Sequence, residues 1–325
     1  MYLYNVLVSM PITEEYKHQL RAAVPDGRVT FARYEDLDEA QLAAFDAVVG
    51  NPDAKTLAKM NNLKLLQLFS SGVAKDYIAL GQDRPGLTLC SASGAYGQAI
   101  SEHMAATLLM LMKRLHEYRD AMANAAWGSR GSVETPVGKT VLVVGAGSIG
   151  TAFGGLMQKL GSKTIGLRRQ KDGNTEGFDE VHTIDQLDHL LPQADVVALS
   201  LPETPQTIGI MSAARFSLMK PGSYFLNVGR GSAVDQDALL EALASGRLAG
   251  AAIDVTVPEP LPRDHPLWRQ QNLLLTPHIS GYYHLKATHD AVVGIAAHNL
   301  AAWPNGPFIS RVDYQTGYRQ KETGR

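Results

Sequence analysis

The sequence has little cysteine and little net charge. Its 325 residues include one cysteine, Cys90, so no disulfide can close within the chain, and a reducing compartment such as the cytoplasm is the expected location. The formal net charge is −2, which gives no overall positive field to favour nucleic acid or an anionic membrane surface. No run of about 18 apolar residues occurs, so no membrane-spanning helix is expected.

The sequence also lacks a compact group of histidine, cysteine and carboxylate side chains, so no metal site is predicted. The composition is that of an ordinary globular protein, with 45% hydrophobic and 19% charged residues. A chain of this length is long enough for two domains. The apolar run YNVLVS near the N-terminus predicts a first strand rather than a targeting segment.

Two series of alternating strand and helix patterns follow. The first contains the strand candidates YNVLVS, DAVVGN and LKLLQLFSSG, and the second begins at Lys139 with KTVLVVG and KTIGL. Such alternation predicts an α/β fold with parallel sheets and crossover helices, that is, two Rossmann-like, doubly wound domains. Between the two series, residues 94–127 show one long helical pattern, whose apolar stripe predicts a core or subunit contact.

The first strand of the second series leads into the glycine-rich stretch VVGAGSIG. Gly145 permits a tight turn, Gly147 lets the backbone approach a pyrophosphate, and Gly150 allows close packing of helix on strand. Ser148 and Ile149 belong to the same turn, where the helix N-terminus stabilises phosphate charge. Because the motif follows a strand and opens a helix, it predicts a dinucleotide site rather than a turn without a ligand.

Two arginines, Arg168 and Arg169, follow the next strand at about the 20-residue spacing where such a fold usually carries an acidic residue. An acid there binds the ribose hydroxyls and repels a 2′-phosphate, whereas a guanidinium pairs with a phosphate. The arginines therefore favour NADP(H) as the cofactor, with NAD(H) as the alternative. A solvated basic turn is the purely structural interpretation, since Lys171 follows.

Three later segments carry candidate chemistry. They are NVGRGSAVD with Arg230, DVTVPEPLP with Asp254 and Glu259, and TPHISG with His278. Each follows a predicted strand, and the carboxyl ends of parallel strands gather at one edge, where ligands bind. Taken singly, Arg230 fits a plain turn, Glu259 a solvated loop acid, and His278 a capping or core histidine. It is the expected proximity of Arg230, Glu259 and His278 at one edge of the sheet that predicts a catalytic site.

These motifs together resemble the D-isomer-specific 2-hydroxyacid dehydrogenase family. SSGV, ISEHMAATLLML, VVGAGSIG, LSLPETPQT, NVGRGSAVD, DVTVPEPLP and TPHISG occur in the family's order over nearly the whole chain. The resemblance implies a catalytic triad of Arg230, Glu259 and His278. It implies further cofactor-binding residues at Pro202, Thr207, Val228 and Asp254, and a substrate-carboxylate loop at Ser71, Gly72 and Val73.

The residue chemistry agrees with these roles. Arg230 can hold a substrate carboxylate and stabilise charge on a carbonyl oxygen. His278 can deliver a proton near neutral pH, and Glu259 can orient its ring. Asp254 is expected to hold the nicotinamide amide. Tyr96, Tyr282 and Tyr283 are expected to line the pocket.

The resemblance also implies an architecture. A flavodoxin-like substrate domain of residues 1–94 and 284–325 receives an inserted cofactor domain of residues 95–283. The helix near 101–120 is expected to form a homodimer contact. The expected reaction is reduction of a small 2-keto acid, such as glyoxylate or hydroxypyruvate, by NADPH.

Other functions stay open on this scaffold. One is NAD-dependent oxidation of a D-2-hydroxy acid. Formate oxidation is less favoured, because the formate branch of the family carries Gln where this chain has Glu259. A third is an NAD(H)-sensing, corepressor-like binding protein, which would show little turnover.

Overall fold

The computed structural model describes residues 4–170, 174–282, 285–317 and 319–320. The chain forms two units, Met1–Tyr96 with Tyr283–Arg325, and Gly97–Tyr282. The divisions expected from the sequence lie at 94/95 and 283/284. Each unit is a parallel sheet with interleaved helices, so the expected α/β class with two Rossmann-like sheets is confirmed.

The first unit contains a five-stranded sheet in the order β2-β1-β3-β4-β5. This is the flavodoxin-like order, in which the chain winds outward from β1 in both directions. The strands are β1 Tyr4–Ser9, β2 Gly27–Phe31, β3 Ala47–Gly50, β4 Leu65–Gln67 and β5 Thr88–Cys90. The helices are α1 Glu14–Ala22, α2 Glu39–Ala43, α3 Ala54–Lys59, α4 Lys75–Asp83 and, from the C-terminal segment, α11 Lys286–Ala302.

Continuous apolar runs explain why these strands occupy the centre of the first unit. Val6, Leu7 and Val8 of β1 are almost fully buried, as expected for a strand covered by helices on both faces. Cys90 ends β5 and is fully buried, and burial raises the pKa of its thiol to about 12. It is therefore a small core residue of the first unit.

The second unit contains a seven-stranded sheet in the order β12-β11-β10-β9-β6-β7-β8. The strands are β6 Thr140–Val144, β7 Lys163–Arg168, β8 Glu180–Thr183, β9 Val196–Leu199, β10 Ser223–Asn227, β11 Leu248–Ile253 and β12 Leu273–Leu275. From β6 the chain runs outward to β8 and then returns to β9 on the other side of β6. The β6/β9 junction is thus the switch point where such sheets bind ligands.

Six helices of the second unit are α5 Gly97–Met112, α6 Leu115–Ala123, α7 Ser148–Lys159, α8 Leu187–Leu190, α9 Ala213–Leu218 and α10 Gln236–Ala244. The expected single helix over 101–120 is wrong, because α5 and α6 are separated at Arg114, which has a φ of 56°. The Arg114 guanidinium donates to the Arg130 carbonyl oxygen at 2.7 Å and pairs with Glu117 at 3.2 Å. These contacts favour the break, although the helical periodicity continues through it. Across the described ranges, no helix is long and apolar enough to cross a membrane.

Candidate cofactor and catalytic site

The candidate site residues of the second unit lie at the carboxyl edge of its sheet. Reading along the sheet order, His278 follows β12, Glu259 follows β11, Arg230 follows β10, the glycine turn follows β6, and Arg168 ends β7. The catalytic candidates thus follow three adjacent strands, and the arginine lies on the other side of the glycine turn. With about 4.8 Å between strands, β12 and β7 are roughly 24 Å apart.

The glycine turn fastens the end of β6 to β7. Gly145 has a φ of 111°, in the region that favours glycine, and its N–H donates to the Leu167 carbonyl oxygen at 2.9 Å. The N–H of Ala146 donates to the same oxygen at 2.8 Å. Gly147 then caps α7, which begins at Ser148.

Each glycine of the turn meets different surroundings. A Cβ on Gly150 would lie 2.2 Å from the Gly145 carbonyl oxygen, so only glycine fits there. A Cβ on Gly147 would meet nothing within 4 Å, so open space lies in front of this backbone. The half-buried Ile149 and the exposed Ser148 complete a first turn that contains no acidic residue. The turn therefore fits a phosphate group, whose charge the helix N-terminus stabilises.

Arg168 is the last residue of β7 and pairs in register with Thr183 of β8. It is half-buried, and Arg169 beside it is exposed. The strand β8 was not predicted from the sequence, because its four residues EVHT lack an apolar run. Arg168 and Arg169 thus stand at the end of a strand, as expected, and Leu167 just before them accepts the hydrogen bonds of the glycine turn.

The loop after β9 is organised by Thr207. Its hydroxyl donates to the Pro202 carbonyl oxygen at 2.7 Å and accepts from the Thr204 N–H at 2.8 Å. Thr207 is buried while Pro202 is exposed, so the threonine shapes the loop that presents the proline. Glu203 of this loop accepts a hydrogen bond from the Ser232 hydroxyl at 2.6 Å, which joins the loop to the segment that follows Arg230.

Arg230 is held in a short loop after β10. The N–H of Gly229 donates to the Asn227 side-chain oxygen at 3.0 Å, and the Asn227 amide donates to the Arg230 carbonyl oxygen at 3.1 Å. The half-buried Arg230 side chain donates from Nη1 to the Gly229 carbonyl oxygen at 2.7 Å. Val228, half-buried before it, is tied by its N–H to the Leu199 carbonyl oxygen at 3.1 Å.

Glu259 and His278 form a direct pair. Oε2 of Glu259 lies 2.8 Å from Nδ1 of His278, and both side chains are partly exposed, at 38% and 47%. The other carboxylate oxygen accepts from the Thr256 N–H at 3.0 Å, so the acid is fixed from a second direction. A carboxylate on Nδ1 sets the ring orientation and leaves Nε2 as the nitrogen for proton transfer.

Gln236 also supports the Glu259 segment, which the sequence analysis did not foresee. Its side-chain amide donates to the Val257 carbonyl oxygen at 2.8 Å and accepts from the Val257 N–H at 2.9 Å. These bonds tie the start of α10 to the loop before Glu259. A glutamine at the start of a helix carries no sequence signal for such a role.

Asp254 is buried, with 2% of its surface exposed, directly after β11. One carboxylate oxygen accepts from the Thr276 hydroxyl at 2.6 Å and the Ile279 N–H at 2.9 Å. The other accepts from the Ser280 N–H at 3.0 Å and its hydroxyl at 2.5 Å. The carboxylate thus spans the loop that carries His278. The hydroxyls of Thr276 and Ser280 stand within the motif TPHISG, where the sequence analysis singled out only the histidine.

Ser71, Gly72 and Val73 belong to the first unit, in the loop between β4 and α4. The Ser70 hydroxyl donates to the Gly72 carbonyl oxygen at 2.8 Å and shapes this loop. Tyr96 does not line an open pocket as expected, because it is 4% exposed and its hydroxyl donates to the Phe69 carbonyl oxygen.

Of the other tyrosines expected at the pocket, Tyr282 is half exposed and Tyr283 lies outside the described residues. Among the residues that the structure describes, no three His, Cys, Asp or Glu side chains are grouped to hold a metal ion.

Comparison with known proteins yields a consistent set of relatives. The family model described as D-isomer specific 2-hydroxyacid dehydrogenase, NAD binding domain, matches residues 105–280. A crystal structure of a D-isomer specific 2-hydroxyacid dehydrogenase family protein from Aeromonas salmonicida is 34% identical, with a TM-score of 0.84. The match covers 96% of this chain and 99% of that one.

A second structure is the NADPH-dependent glyoxylate/hydroxypyruvate reductase of Sinorhizobium meliloti in complex with NADP and sulfate. It is 26% identical, with a TM-score of 0.80, over 97% of this chain and 100% of that one. Mouse glyoxylate reductase/hydroxypyruvate reductase is 31% identical over 75% of each chain. The chain spans 61% of a rice mitochondrial formate dehydrogenase, at 33% identity over 70% of its own length.

Proposed function

Because this chain belongs to the D-isomer-specific 2-hydroxyacid dehydrogenase family of NAD(P)-dependent oxidoreductases, we propose that it reduces a small 2-keto acid to the D-2-hydroxy acid with NADPH. The observation that carries the proposal is the pair of Glu259 and His278, with Oε2 and Nδ1 2.8 Å apart at the carboxyl edge of the second sheet. That pair is the arrangement a proton donor requires.

In the proposed reaction His278, Glu259 and Arg230 have different roles. Bound NADPH supplies the hydride to the carbonyl carbon. His278 gives the proton from Nε2 to the carbonyl oxygen, while Glu259 on Nδ1 stabilises the charged ring and fixes its plane. Arg230 binds the substrate carboxylate and stabilises negative charge on that oxygen. The loop of Ser71, Gly72 and Val73 in the first unit is proposed to bind a carboxylate through backbone N–H groups, as the family resemblance implies.

Two observations support NADPH over NADH, namely the arginines at the end of β7 and the cofactor of one relative. Arg168 and Arg169 stand at the end of β7, where a carboxylate would repel a 2′-phosphate. The turn of Gly145, Gly147 and Gly150 offers an unobstructed helix N-terminus for the pyrophosphate, which NADPH and NADH both carry. The Sinorhizobium meliloti relative is named as NADPH-dependent and was solved with NADP. We therefore assign the cofactor domain to Gly97–Tyr282 and the substrate domain to the remaining unit.

Glyoxylate and hydroxypyruvate are the proposed substrates, since two relatives are named as reductases of these acids. Oxidation of a D-2-hydroxy acid is the same chemistry run in reverse, with His278 accepting the proton. Formate oxidation is disfavoured, because hydride loss from formate gives CO2 without any proton transfer, so that His278 would have no proton to move.

A panel of 2-keto acids assayed with NADPH and with NADH tests the proposal. We expect turnover of glyoxylate or hydroxypyruvate with kcat/KM higher for NADPH. A higher kcat/KM with NADH would contradict the cofactor assignment. Cofactor binding without turnover of any keto or hydroxy acid would support a cofactor-sensing protein instead.

We further propose the homodimer that was expected through the helix near 101–120, and we extend its contact over the segment from α6 to β6. Large apolar side chains stand exposed there, namely Leu115, Met122, Trp127, Val133 and Val137. Trp127 is fully exposed, and clustered exposed apolar residues mark interaction surfaces. Trp127→Glu is expected to convert the dimer to monomer in light scattering, whereas Trp268→Glu on the same unit serves as control. A wild-type monomer at micromolar concentration would contradict this proposal.

A further inference from the structure

We propose that Asn51 and Tyr96 are positioning residues of the first unit, which hold the loop of residues 71–73 in the form that binds a carboxylate. The inference rests on the proposed function, in which this loop binds a carboxylate of the substrate. Its structural part concerns only side chains and backbone of the first unit. Tyr96 was expected at an open pocket, whereas its buried hydroxyl supports the backbone of this loop.

The first step is the backbone of Phe69, where the chain leaves β4. The Phe69 N–H donates to the side-chain oxygen of Asn51, which follows β3, at 3.1 Å. The Phe69 carbonyl oxygen accepts from the hydroxyl of Tyr96. One residue earlier, the Gln67 side-chain amide donates to the Leu68 carbonyl oxygen at 2.7 Å. Two successive peptide planes are therefore fixed by side chains, since each plane is rigid.

The second step is the direction of the next peptide groups. The Ser70 carbonyl oxygen accepts from the Ala92 N–H at 2.9 Å, and the Gly72 carbonyl oxygen accepts from the Ser70 hydroxyl at 2.8 Å. In a trans peptide the C=O and the N–H point in opposite directions, so the N–H groups of Ser71 and Val73 point away from these donors. Within the described ranges, the N–H groups of all three loop residues donate to no protein group. Successive N–H groups of this kind suit an anion.

The third step is the burial of the two supporting side chains. Tyr96 is 4% exposed, whereas Asn51 is half-buried. Little water reaches so buried a hydroxyl, so its loss would leave the Phe69 carbonyl oxygen without that donor. The peptide would then turn toward another donor, and the N–H groups of residues 71–73 would lose their fixed orientation. Affinity for a carboxylate falls when binding must first order the site.

The test compares Tyr96→Phe with Tyr314→Phe. Both changes delete one hydroxyl, and Tyr314 is the matched control because its hydroxyl donates to the Leu87 carbonyl oxygen at 2.6 Å, outside the loop. We expect Tyr96→Phe to raise KM for glyoxylate about three- to tenfold, the effect of one neutral hydrogen bond. The kcat should stay within about twofold, because a carboxylate held equally in the ground and transition states affects KM alone. Tyr314→Phe should change neither quantity.

Asn51→Ala should act in the same direction as Tyr96→Phe, but more weakly. We expect KM for glyoxylate to rise about two- to fivefold, because water can partly replace the oxygen of a half-buried side chain. This variant also keeps the proposal open to contradiction if Tyr96→Phe fails to fold, since unchanged KM and unchanged carboxylate affinity in Asn51→Ala would then overturn it.

Binding of oxalate gives a readout without turnover, because this dicarboxylate has no keto group to reduce. In NMR spectra of the isotope-labelled protein with NADPH, oxalate should shift the amide signals of residues 71–73. Its dissociation constant should be about three- to tenfold larger in Tyr96→Phe than in the wild type. A dissociation constant within about twofold of the wild type would overturn the proposal, and so would an equal increase in Tyr314→Phe.

Hydrogen exchange in the protein without ligands separates the loop from the fold. The Ala92 N–H, which bonds the Ser70 carbonyl oxygen, should exchange about threefold faster in Tyr96→Phe and in Asn51→Ala. The amides of β1 should exchange at the rate of the wild type. Equal acceleration at β1 would assign the Tyr96 hydroxyl to general stability and would overturn the proposal.

The proposed function and this inference fail in different ways. Absence of turnover by the wild type, with oxalate still shifting the amides of residues 71–73, would count against the proposed function alone, because oxalate binding and exchange are measured without catalysis. Turnover of glyoxylate by a wild type in which oxalate shifts none of these amides would overturn the inference alone.

Discussion

The two units share one way of winding a sheet, yet they differ where the first strand meets its helix. In the first unit β1 leads through Pro11 to α1, whose first turn carries the carboxylates of Glu14 and Glu15. In the second, β6 leads through the glycine turn to α7, whose first turn has no acid. Carboxylates at a helix N-terminus occupy the positive end that an anion would need. Of these two strand-to-helix connections, the one after β6 is the one that suits a phosphate, which illustrates that function is decided by loops.

The units also differ at the end of the second strand. Arg33 follows β2, and its guanidinium pairs with Glu35 at 3.0 Å. Arg168 ends β7 at the equivalent place in the winding order. Each unit therefore has an arginine at the end of its second strand. Arg168 rather than Arg33 is expected to bind a phosphate, because the first turn of α7 has no acid whereas that of α1 has two.

The largest expected effect is on chemistry in the second unit. The variant His278→Ala should lower kcat by about 10² to 10⁴, because the proton donor is lost. Steady-state kinetics with the best keto acid gives the value. His298→Ala is the control, since this histidine of α11 in the first unit bonds only the Pro307 carbonyl oxygen among the described contacts. Equal kcat in both variants would remove His278 from the mechanism.

The next prediction concerns two glycines of the glycine turn, because Gly150 is needed for packing whereas Gly147 is expected to let a phosphate approach. Gly150→Ala should destabilise the fold by about 1–3 kcal/mol, because its Cβ would collide with the Gly145 carbonyl. Gly147→Ala should leave stability unchanged, since its Cβ meets open space, but should weaken NADPH binding. Thermal unfolding and fluorescence titration measure the two quantities. Intact NADPH binding in Gly147→Ala would mean that the phosphate is held elsewhere.

The preference for NADPH over NADH allows Arg168 of the second unit to be compared with Arg33 of the first. Arg168→Asp should move the NADPH-to-NADH ratio of kcat/KM toward NADH by roughly ten- to hundredfold, the effect of one charge-assisted contact. Arg33→Asp in the first unit should leave the ratio unchanged. If Arg168→Asp has no effect while Arg169→Asp does, the exposed arginine is the phosphate contact.

The last expected effect concerns stability at high pH. Burial raises the pKa of Tyr77 and of Tyr314 to about 12, and that of Cys90 likewise, all in the first unit. The unfolded chain releases these protons at lower pH, so their contribution to stability is complete below the ordinary pKa values and is lost as pH rises toward 12. The first unit should therefore lose stability between about pH 9 and 12, by up to about 1.4 kcal/mol per pH unit for each group.

Tryptophan fluorescence can follow each unit, because Trp303 lies in the first and Trp127 and Trp268 lie in the second. Urea unfolding of a Trp127→Phe/Trp268→Phe protein reports the first unit at each pH. The double change Tyr77→Phe/Tyr314→Phe should flatten its alkaline decline. An unfolding curve that is independent of pH up to 11 would contradict these pKa shifts.

Much of the second unit followed from the sequence. The glycine turn and the arginines at a strand end were predicted from residue types next to apolar strands, whereas the roles of Glu259 and His278 were implied by the resemblance to the family. The break between α5 and α6 was not, because it depends on Arg114 reaching Arg130 and Glu117. The strand β8 was not predicted, because its residues EVHT have no apolar run and form a strand by pairing with β7.

The sequence by itself determined the α/β class, the family, and the identity of the groups able to carry the chemistry, because apolar strands and glycine turns are local patterns. Tertiary structure alone decided what those groups contact. Asp254 bonds Thr276, Ile279 and Ser280, and Tyr96 bonds the Phe69 carbonyl oxygen, because a side chain's hydrogen-bond partners depend on which loops the sheet order brings to one edge. The spacing of residues along the chain does not show which loops lie close together.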